Sequence, residues 1–224
     1  MSRHLAALIL LLAPAAAVAA PVEPIVPCGG EVYVFGGSTM MGDGVRAAGS
    51  TDFPARMETF FERVCGGEVT FTKSAEESGR FVDDVAAISE RLARSPRSVA
   101  FVHFPFTDLE AGTSVDRILQ AYRTLLAACT ASGSTCIVGG QQPVNALSAE
   151  VTDRQLELER RASAAFGANY LPLYRYFRSE SGVRRLMIPL DSGDGRHTDD
   201  YGHDLLYKLY RRRLIELTSS KKRR

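Results

Sequence analysis

The sequence lacks the patterns that mark several large classes of protein. It contains no G-x-x-x-x-G-K-[ST] phosphate-binding loop and no set of cysteines and histidines at zinc-ligand spacing. It also lacks a basic excess, since 27 Lys and Arg residues stand against 26 Asp and Glu residues. This balance gives no basic field over the whole protein, so we expect no nucleic-acid partner. Internal repeats and internal linkers are absent as well.

What the sequence does contain fits one folded domain. The chain has 224 residues, of which 45% are hydrophobic and 24% are charged. It can therefore bury a substantial core, and intrinsic disorder is excluded for most of its length.

Residues 1–19 have the pattern of a cleavable signal peptide. A short basic start is followed by an apolar run at residues 5–12 and by Ala17-Val18-Ala19, an A-x-A cleavage site. An uncleaved membrane anchor is the alternative, but this apolar run is short for a bilayer span. No second hydrophobic segment is long enough to span a bilayer. We therefore expect cleavage after Ala19, no stable membrane insertion, and a periplasmic or secreted protein.

Export makes the four cysteines candidates for disulfide bonds. Cys28, Cys65, Cys129 and Cys136 form an even set in a compartment that is expected to be oxidising. Two disulfides are therefore predicted, and the residues by themselves leave three pairings open.

Apolar runs and helical periodicities alternate along the chain. Strands are predicted at residues 31–35, 68–72, 98–104, 134–138 and 169–173, and helices at residues 53–64, 81–92, 115–126, 151–166 and from Thr198, as a cap, to about 217. The strands are solidly apolar, which is typical of a parallel sheet covered on both faces. We predict one α/β domain of three layers.

Candidate catalytic residues follow the predicted strands. Ser38 follows the first strand, Thr107-Asp108 the third, Gln141-Gln142 the fourth and Asp194-Gly195-Arg196-His197 the fifth. Because ligands bind at the carboxyl ends of strands in open parallel sheets, we expect these side chains to share one edge.

Three of these residues suit nucleophilic catalysis. A serine hydroxyl needs a base to take its proton, imidazole is the usual base, and a carboxylate orients the imidazole. Asp194 and His197 are three residues apart in a glycine-containing loop, so the carboxylate can orient its own neighbour. Gly36 and Gly37 are expected to let the chain turn sharply and expose Ser38.

With these residues the sequence resembles the SGNH hydrolases of the GDSL esterase and lipase superfamily. Gly36-Gly37-Ser38 stands where that family has G-D-S, and Asp194-Gly195-Arg196-His197 matches its D-x-x-H block, with Gly202-His203 trailing it. The resemblance implies a flavodoxin-like three-layer α/β/α sandwich with a five-stranded parallel sheet at residues 31–218. Residues 20–30 then form an N-terminal extension and residues 219–224 a basic tail.

The middle blocks depart from the family pattern. Thr107 replaces the asparagine of the family's G-x-N-D block, whose amide donates to the oxyanion. A backbone amide from Gly79 or Ser78 is the expected second donor. Ser38, Asp194 and His197 are therefore the expected catalytic residues, and Gly79 and Thr107 the expected oxyanion residues. Neither a metal nor a cofactor is expected.

The resemblance also implies a disulfide pairing. The family's sheet order 2-1-3-4-5 makes the first two strands neighbours, and Cys28 and Cys65 precede those strands. Cys129 and Cys136 flank the start of the fourth strand. We therefore expect Cys28–Cys65 and Cys129–Cys136, both at the edge opposite the catalytic residues.

Several residues also have plainer interpretations. Ser38 alone is compatible with an ordinary turn, Asp108 with a helix start, and His203 with a structural role. His103 is expected to be buried and hydrogen-bonded, although its position keeps it a minor site candidate. Gln141 and Gln142 suit a pocket wall or a solvated loop equally.

The leading functional hypothesis is an exported serine esterase that forms an acyl-enzyme at Ser38. Its substrate would be a small-molecule, glycan or lipid ester, and its oligomeric state is left open. One alternative is a periplasmic polysaccharide O-acyltransferase or deacetylase. Another is a binding module that has kept the fold but lost activity, which the Thr107 replacement favours.

Overall fold

The sheet has the order that the resemblance implies. A computed structural model describes residues 26–46, 49, 51–67, 69–75, 79–103, 105–144, 147–184 and 192–221. Its strands are β1 (Glu31–Gly36), β2 (Thr70–Ala75), β3 (Val99–His103), β4 (Thr135–Gly139) and β5 (Tyr170–Leu171). All neighbouring pairs are parallel, in the order β2-β1-β3-β4-β5.

Helices connect the strands. They are α1 (Ser38–Met41), α2 (Phe53–Cys65), α3 (Phe81–Arg94), α4 (Pro105–Glu110), α5 (Val115–Ala131), α6 (Ala149–Phe166), α7 (Leu173–Arg184) and α8 (Asp200–Lys221), with a 3-10 turn at Gly167–Asn169. The sequence patterns missed α1, α4 and α7. The second strand begins two residues later than predicted, and the fifth is shorter at both ends.

Each face of the sheet is covered by its own apolar core. In β1, Val32 and Val34 pack among residues of α2, α7 and α8, whereas Tyr33 and Phe35 pack among residues of α3, α5 and α6. The strands lack polar alternation because both of their faces are buried. This confirms the predicted three-layer α/β architecture.

Side-chain caps fix where several helices begin. Asp52 accepts a hydrogen bond from the amide of Ala55 at the start of α2. At α8 the prediction of Thr198 as the cap is wrong. The carboxylate of Asp199 accepts from the amide of Gly202 at 2.9 Å, which is the N-cap arrangement. Thr198 instead is buried just before the helix.

The two disulfides pair as predicted. Cys28, ahead of β1, is bonded to Cys65 at the end of α2, with 5.4 Å between their Cα atoms. Cys129 near the end of α5 is bonded to Cys136 in β4, with 6.1 Å between Cα atoms. Both bonds lie toward the amino ends of the strands.

Some predicted segments lie at or beyond the limits of the described residues. The signal peptide at residues 1–19, most of the extension at 20–30 and residues 222–224 lie outside them. Within the extension, Val26 is buried against the α2–α8 side of the sheet. Residues 219–221, assigned to the tail, continue α8.

Candidate active site

Ser38 is presented at the carboxyl end of β1, as the first residue of α1, and its side chain is exposed. The sharp turn does not depend on left-handed backbone, because Gly37 adopts an extended conformation. Gly36 is required for another reason. A Cβ atom there would collide with the side chain of Met40 and the carbonyl of His103. The glycine thus allows α1 to fold back tightly over the end of β3.

The structure brings the three predicted catalytic side chains together. His197 Nε2 lies 2.7 Å from Ser38 Oγ. His197 Nδ1 lies 2.5 Å from Asp194 Oδ2. The imidazole therefore bridges a hydroxyl and a carboxylate through its two nitrogens, which is the arrangement of a nucleophile, a base and an orienting acid.

The loop that carries Asp194 and His197 is organised around the carboxylate. Asp194 Oδ1 accepts hydrogen bonds of 2.8 Å from the backbone amides of both Arg196 and His197. Partial desolvation acts to raise the pKa of Asp194. The hydrogen bonds from the backbone and ring of His197 and from the Arg196 amide outweigh it, and the pKa lies below its usual range. Asp194 is therefore an anion at neutral pH.

A second loop packs against the histidine from behind. At Gly44 a Cβ atom would overlap the carbonyl of Thr198 and the Cβ of His197, and φ there is +97°. Only glycine permits this approach with such a backbone. The loop is held by His203, whose Nε2 lies 3.1 Å from the carbonyl of Asp43 and whose Nδ1 accepts from the amide of Phe53 at 3.1 Å.

His203 therefore has the structural role that the sequence suggested. Burial lowers its pKa, which favours the neutral ring with one donor and one acceptor. It connects α8 to the start of α2 and to the loop behind His197. No local sequence pattern indicates these contacts.

Gly79 and Thr107 line the same pocket as Ser38 and His197. The Thr107 hydroxyl donates a hydrogen bond to the carbonyl of Gly79, whose φ is +62°. The single proton of the Thr107 hydroxyl is thus directed at the Gly79 loop rather than into the pocket. The other candidate donor, Ser78, lies outside the described residues.

Asp108 is a structural residue, as the plainer interpretation had it. Its side chain is fully buried and accepts hydrogen bonds from the amides of Phe81 at 2.8 Å and Val82 at 3.4 Å, at the start of α3. Burial raises its pKa to about 6, although the two amides and Arg80 act in the opposite direction. The carboxylate fixes the end of the loop that carries Gly79.

The site opens into a pocket of about 310 Å³. Beside the predicted residues, its walls include His103 and Gln141, both minor candidates from the sequence, and Thr39, Asp43 and Arg196, which were not singled out. Arg196 also forms an ion pair of 3.2 Å with Glu110 of α4, across the pocket rim. Among the described residues, no three His, Cys, Asp or Glu side chains are grouped to hold a metal ion.

Comparison with known proteins identifies the fold. No protein-family model matches the sequence, and no curated protein matches it. Solved structures do match. A protein assigned to the lipolytic G-D-S-L family from Desulfitobacterium hafniense DCB-2 aligns with a TM-score of 0.59 and 14% identity, over 82% of this chain and 98% of that one. The chain has the SGNH-hydrolase fold.

Two esterases give the same result. The psychrotrophic esterase EstA from Pseudoalteromonas sp. aligns with a TM-score of 0.58 and 11% identity, over 85% of this chain and 99% of that one. Axe2, an acetyl-xylooligosaccharide esterase from Geobacillus, aligns with a TM-score of 0.58 and 14% identity, over 84% and 95%. The alignments span nearly the whole of those chains.

Proposed function

We propose that this SGNH-fold chain is a serine esterase that cleaves acyl esters through an acyl-enzyme at Ser38. The observation that carries the proposal is the position of the His197 ring, 2.7 Å from the Ser38 hydroxyl oxygen and 2.5 Å from the Asp194 carboxylate. These distances allow direct proton transfer from serine to imidazole.

Acylation uses all three side chains. Ser38 Oγ attacks the ester carbonyl carbon while His197 Nε2 takes the hydroxyl proton, which gives a tetrahedral oxyanion. The Asp194 carboxylate stabilises the imidazolium and keeps Nδ1 protonated. The intermediate then collapses, the bond to the alcohol oxygen breaks, and that oxygen leaves with the proton from Nε2.

Deacylation repeats the same steps, with water in place of the serine hydroxyl as the nucleophile. His197 Nε2 takes a proton from water, whose oxygen attacks the acyl carbon of the Ser38 ester. Collapse of the second intermediate breaks the bond to Ser38 Oγ, which regains its proton from the imidazolium. The carboxylic acid leaves, and the enzyme returns to its starting state.

Backbone amides are the proposed oxyanion donors. Ser38 is the first residue of α1, and both Ser38 and Gly79 line the pocket. Their amides would hold the developing negative charge. Thr107, with its proton directed at the Gly79 carbonyl, would hold the loop that supplies the second amide. Thr107 of the altered G-x-N-D block would thus support the oxyanion hole by holding the Gly79 loop in place.

The substrate we propose is an ester with a short acyl group. A pocket of about 310 Å³ lies near the lower end of the range for ligand sites. Structural neighbours include an acetyl-xylooligosaccharide esterase and a two-domain esterase active on acetylated mannans. Acetylated glycans are therefore the first substrates to test.

We also propose that the protein is exported through the signal peptide at residues 1–19. The two disulfides suit an oxidising compartment. No helix among the described residues is long and apolar enough to cross a membrane.

The test of the proposed function is labelling with a fluorophosphonate probe, read by intact mass. The oxidised wild-type protein should gain one adduct, mapped to Ser38, and Ser38→Ala should gain none. His197→Ala should label at least 100-fold more slowly, because the serine then lacks its base. A folded wild-type protein that does not label would contradict the proposal and favour a binding module. A Ser38→Ala variant that still hydrolyses esters would show that Ser38 is not the nucleophile.

A further inference from the structure

His103 lies at the base of the pocket. It is the last residue of β3, and its Cα is paired with Gly36 of β1 on one side and Gly139 of β4 on the other. His103 lines the same pocket as Ser38 and His197. The ring is thus fixed in the centre of the sheet edge, beneath the catalytic residues.

The ring is buried without hydrogen-bond partners. His103 is only 4% exposed, and neither of its nitrogens forms a hydrogen bond with any residue that the structure describes. Leaving a buried polar group unsatisfied costs about 1–3 kcal/mol. A group with this cost that faces a ligand pocket is a candidate for ligand recognition.

The ring is neutral at physiological pH. Burial lowers the pKa of His103 to about 4, and nearby His203 acts in the same direction. A neutral imidazole has one N–H donor and one acceptor nitrogen. A ligand hydroxyl, which both donates and accepts, is therefore a suitable partner for this ring.

Glutamine side chains extend this polar surface. Those of Gln141 and Gln142 approach the ring and oppose the fall in its pKa, without forming hydrogen bonds of normal geometry to it. Gln142 Oε1 is also buried with no hydrogen-bond partner among the described residues. The backbone is rigidly placed here, because Gln155 of α6 donates to the carbonyls of both Gln141 and Gln142 at 2.9 and 3.2 Å.

We propose that His103 and Gln141 form a polar pocket floor that binds a hydroxyl group of the substrate. The floor makes the enzyme selective for esters that carry a hydroxyl near the scissile bond. This inference rests on the proposed esterase function and specifies the substrate class. The hydroxyl belongs either to the alcohol, as in a partly acylated sugar, or to a 2-hydroxyacyl group.

An alkyl chain would suit this floor poorly. Methylene groups at the base of the pocket offer neither donor nor acceptor, so the ring nitrogens of His103 would stay unpaired, whereas a hydroxyl could pair with them. A catalytic role for His103 is not needed, since His197 already contacts the Ser38 hydroxyl. His103 is therefore a specificity residue.

Two matched substrate pairs locate the hydroxyl. One pair compares trans-2-hydroxycyclohexyl acetate with cyclohexyl acetate, which differ by one hydroxyl of the alcohol. The other compares 4-nitrophenyl glycolate with 4-nitrophenyl acetate, which differ by one acyl hydroxyl. For each pair, the ratio of kcat/KM values is measured in the wild type, in His103→Phe and in His103→Gln.

We expect the wild type to prefer the hydroxylated member of at least one pair. His103→Phe should lower that ratio by about 10- to 100-fold, the effect of losing one or two hydrogen bonds. His103→Gln, which keeps a donor and an acceptor, should retain part of the preference. A purely structural role would lower both rates together and leave the ratio unchanged, and that result would overturn the proposal.

A binding measurement tests the proposal even if the His103 variants do not fold or the enzyme does not turn over these substrates. In Ser38→Ala, the imidazole ¹⁵N resonances of His103 are followed while methyl xyloside or glycolamide is added. A shift of these resonances with one ligand supports the proposal, and its absence with both overturns it. Absence of 4-nitrophenyl acetate hydrolysis and of Ser38 labelling by the wild type would instead refute the esterase function.

Discussion

The hydroxyl of Thr107 donates its hydrogen bond to the backbone carbonyl of Gly79. The two residues belong to different connections, one after β3 and one after β2, on opposite sides of β1 in the sheet. The contact joins α4 to the Gly79 loop. It gives Thr107 a positioning role in place of the direct donor role expected from the sequence.

Replacing Thr107 by valine should therefore lower activity through the Gly79 loop. Valine keeps the side-chain shape but removes the donor, so we expect kcat to fall by roughly 10- to 100-fold. Thr107→Ser keeps the hydroxyl and should restore most of the activity. Ester hydrolysis by the two purified variants checks this. Wild-type activity in Thr107→Val together with a loss in Thr107→Ser would show that the methyl group, and not the hydrogen bond, matters.

Asp194→Asn should lower kcat by about 10³- to 10⁴-fold without unfolding the protein. An amide cannot hold His197 in the required tautomer or stabilise the imidazolium. Asp153→Asn, at an exposed position on α6, is the matched control and should hydrolyse esters like the wild type. Comparable rates for Asp194→Asn and the wild type would show that the carboxylate is not used.

The pH profile offers a further test of Asp194. Its pKa lies below the usual range because of the hydrogen bonds from the 196–197 backbone and the His197 ring. The carboxylate thus stays ionised at every pH above about 4, where an unperturbed Asp titrates. Titration of Asp194 should accordingly add no inflection to kcat/KM above that pH.

Asp108 should make the free energy of unfolding fall as the pH rises, which is the opposite of the usual effect of an ion-paired carboxylate. Its pKa in the folded protein is raised to about 6 by burial, against about 4 in the unfolded chain. The folded state therefore holds this proton more tightly, and the Asp108 contribution to the free energy of unfolding falls as pH rises from 4 to 6. Above pH 6 that contribution is constant.

Asp108→Asn isolates this contribution, because the amide does not titrate. Urea unfolding at several pH values between 4 and 7 gives the free energy of unfolding for both proteins. The wild-type value minus the variant value should decrease by about 2–3 kcal/mol across that range. A difference that stays constant with pH would show that Asp108 has a normal pKa.

The two disulfides should contribute unequally to stability. Cys28–Cys65 closes a loop with a sequence separation of 37, and Cys129–Cys136 one of 7. In the chain-entropy model, removing the first costs about 4 kcal/mol and removing the second about 2 kcal/mol. Paired Cys→Ala variants compared by urea unfolding check the order. Four titratable thiols in the native exported protein would show that neither bond forms.

Much of the fold followed from local pattern. The solidly apolar strands and the helical periodicities predicted a parallel sheet covered on both faces, and the structure confirms it. The short helices α1 and α4 were missed because four and six residues are too few to show a period. The cap of α8 was misplaced by one residue, since Thr198 and Asp199 are both acceptable caps by residue type.

The sequence by itself determined which groups could react. Residue type and strand order predicted Ser38, Asp194 and His197 at one sheet edge, because parallel strands bring their carboxyl ends together. Only the tertiary structure decided where the remaining hydrogen bonds go. The proton of Thr107 is directed to the Gly79 carbonyl, and the ring of His103 has no hydrogen-bond partner among the described residues. Such partners come from loops distant in the chain, whose approach depends on packing that no local pattern encodes.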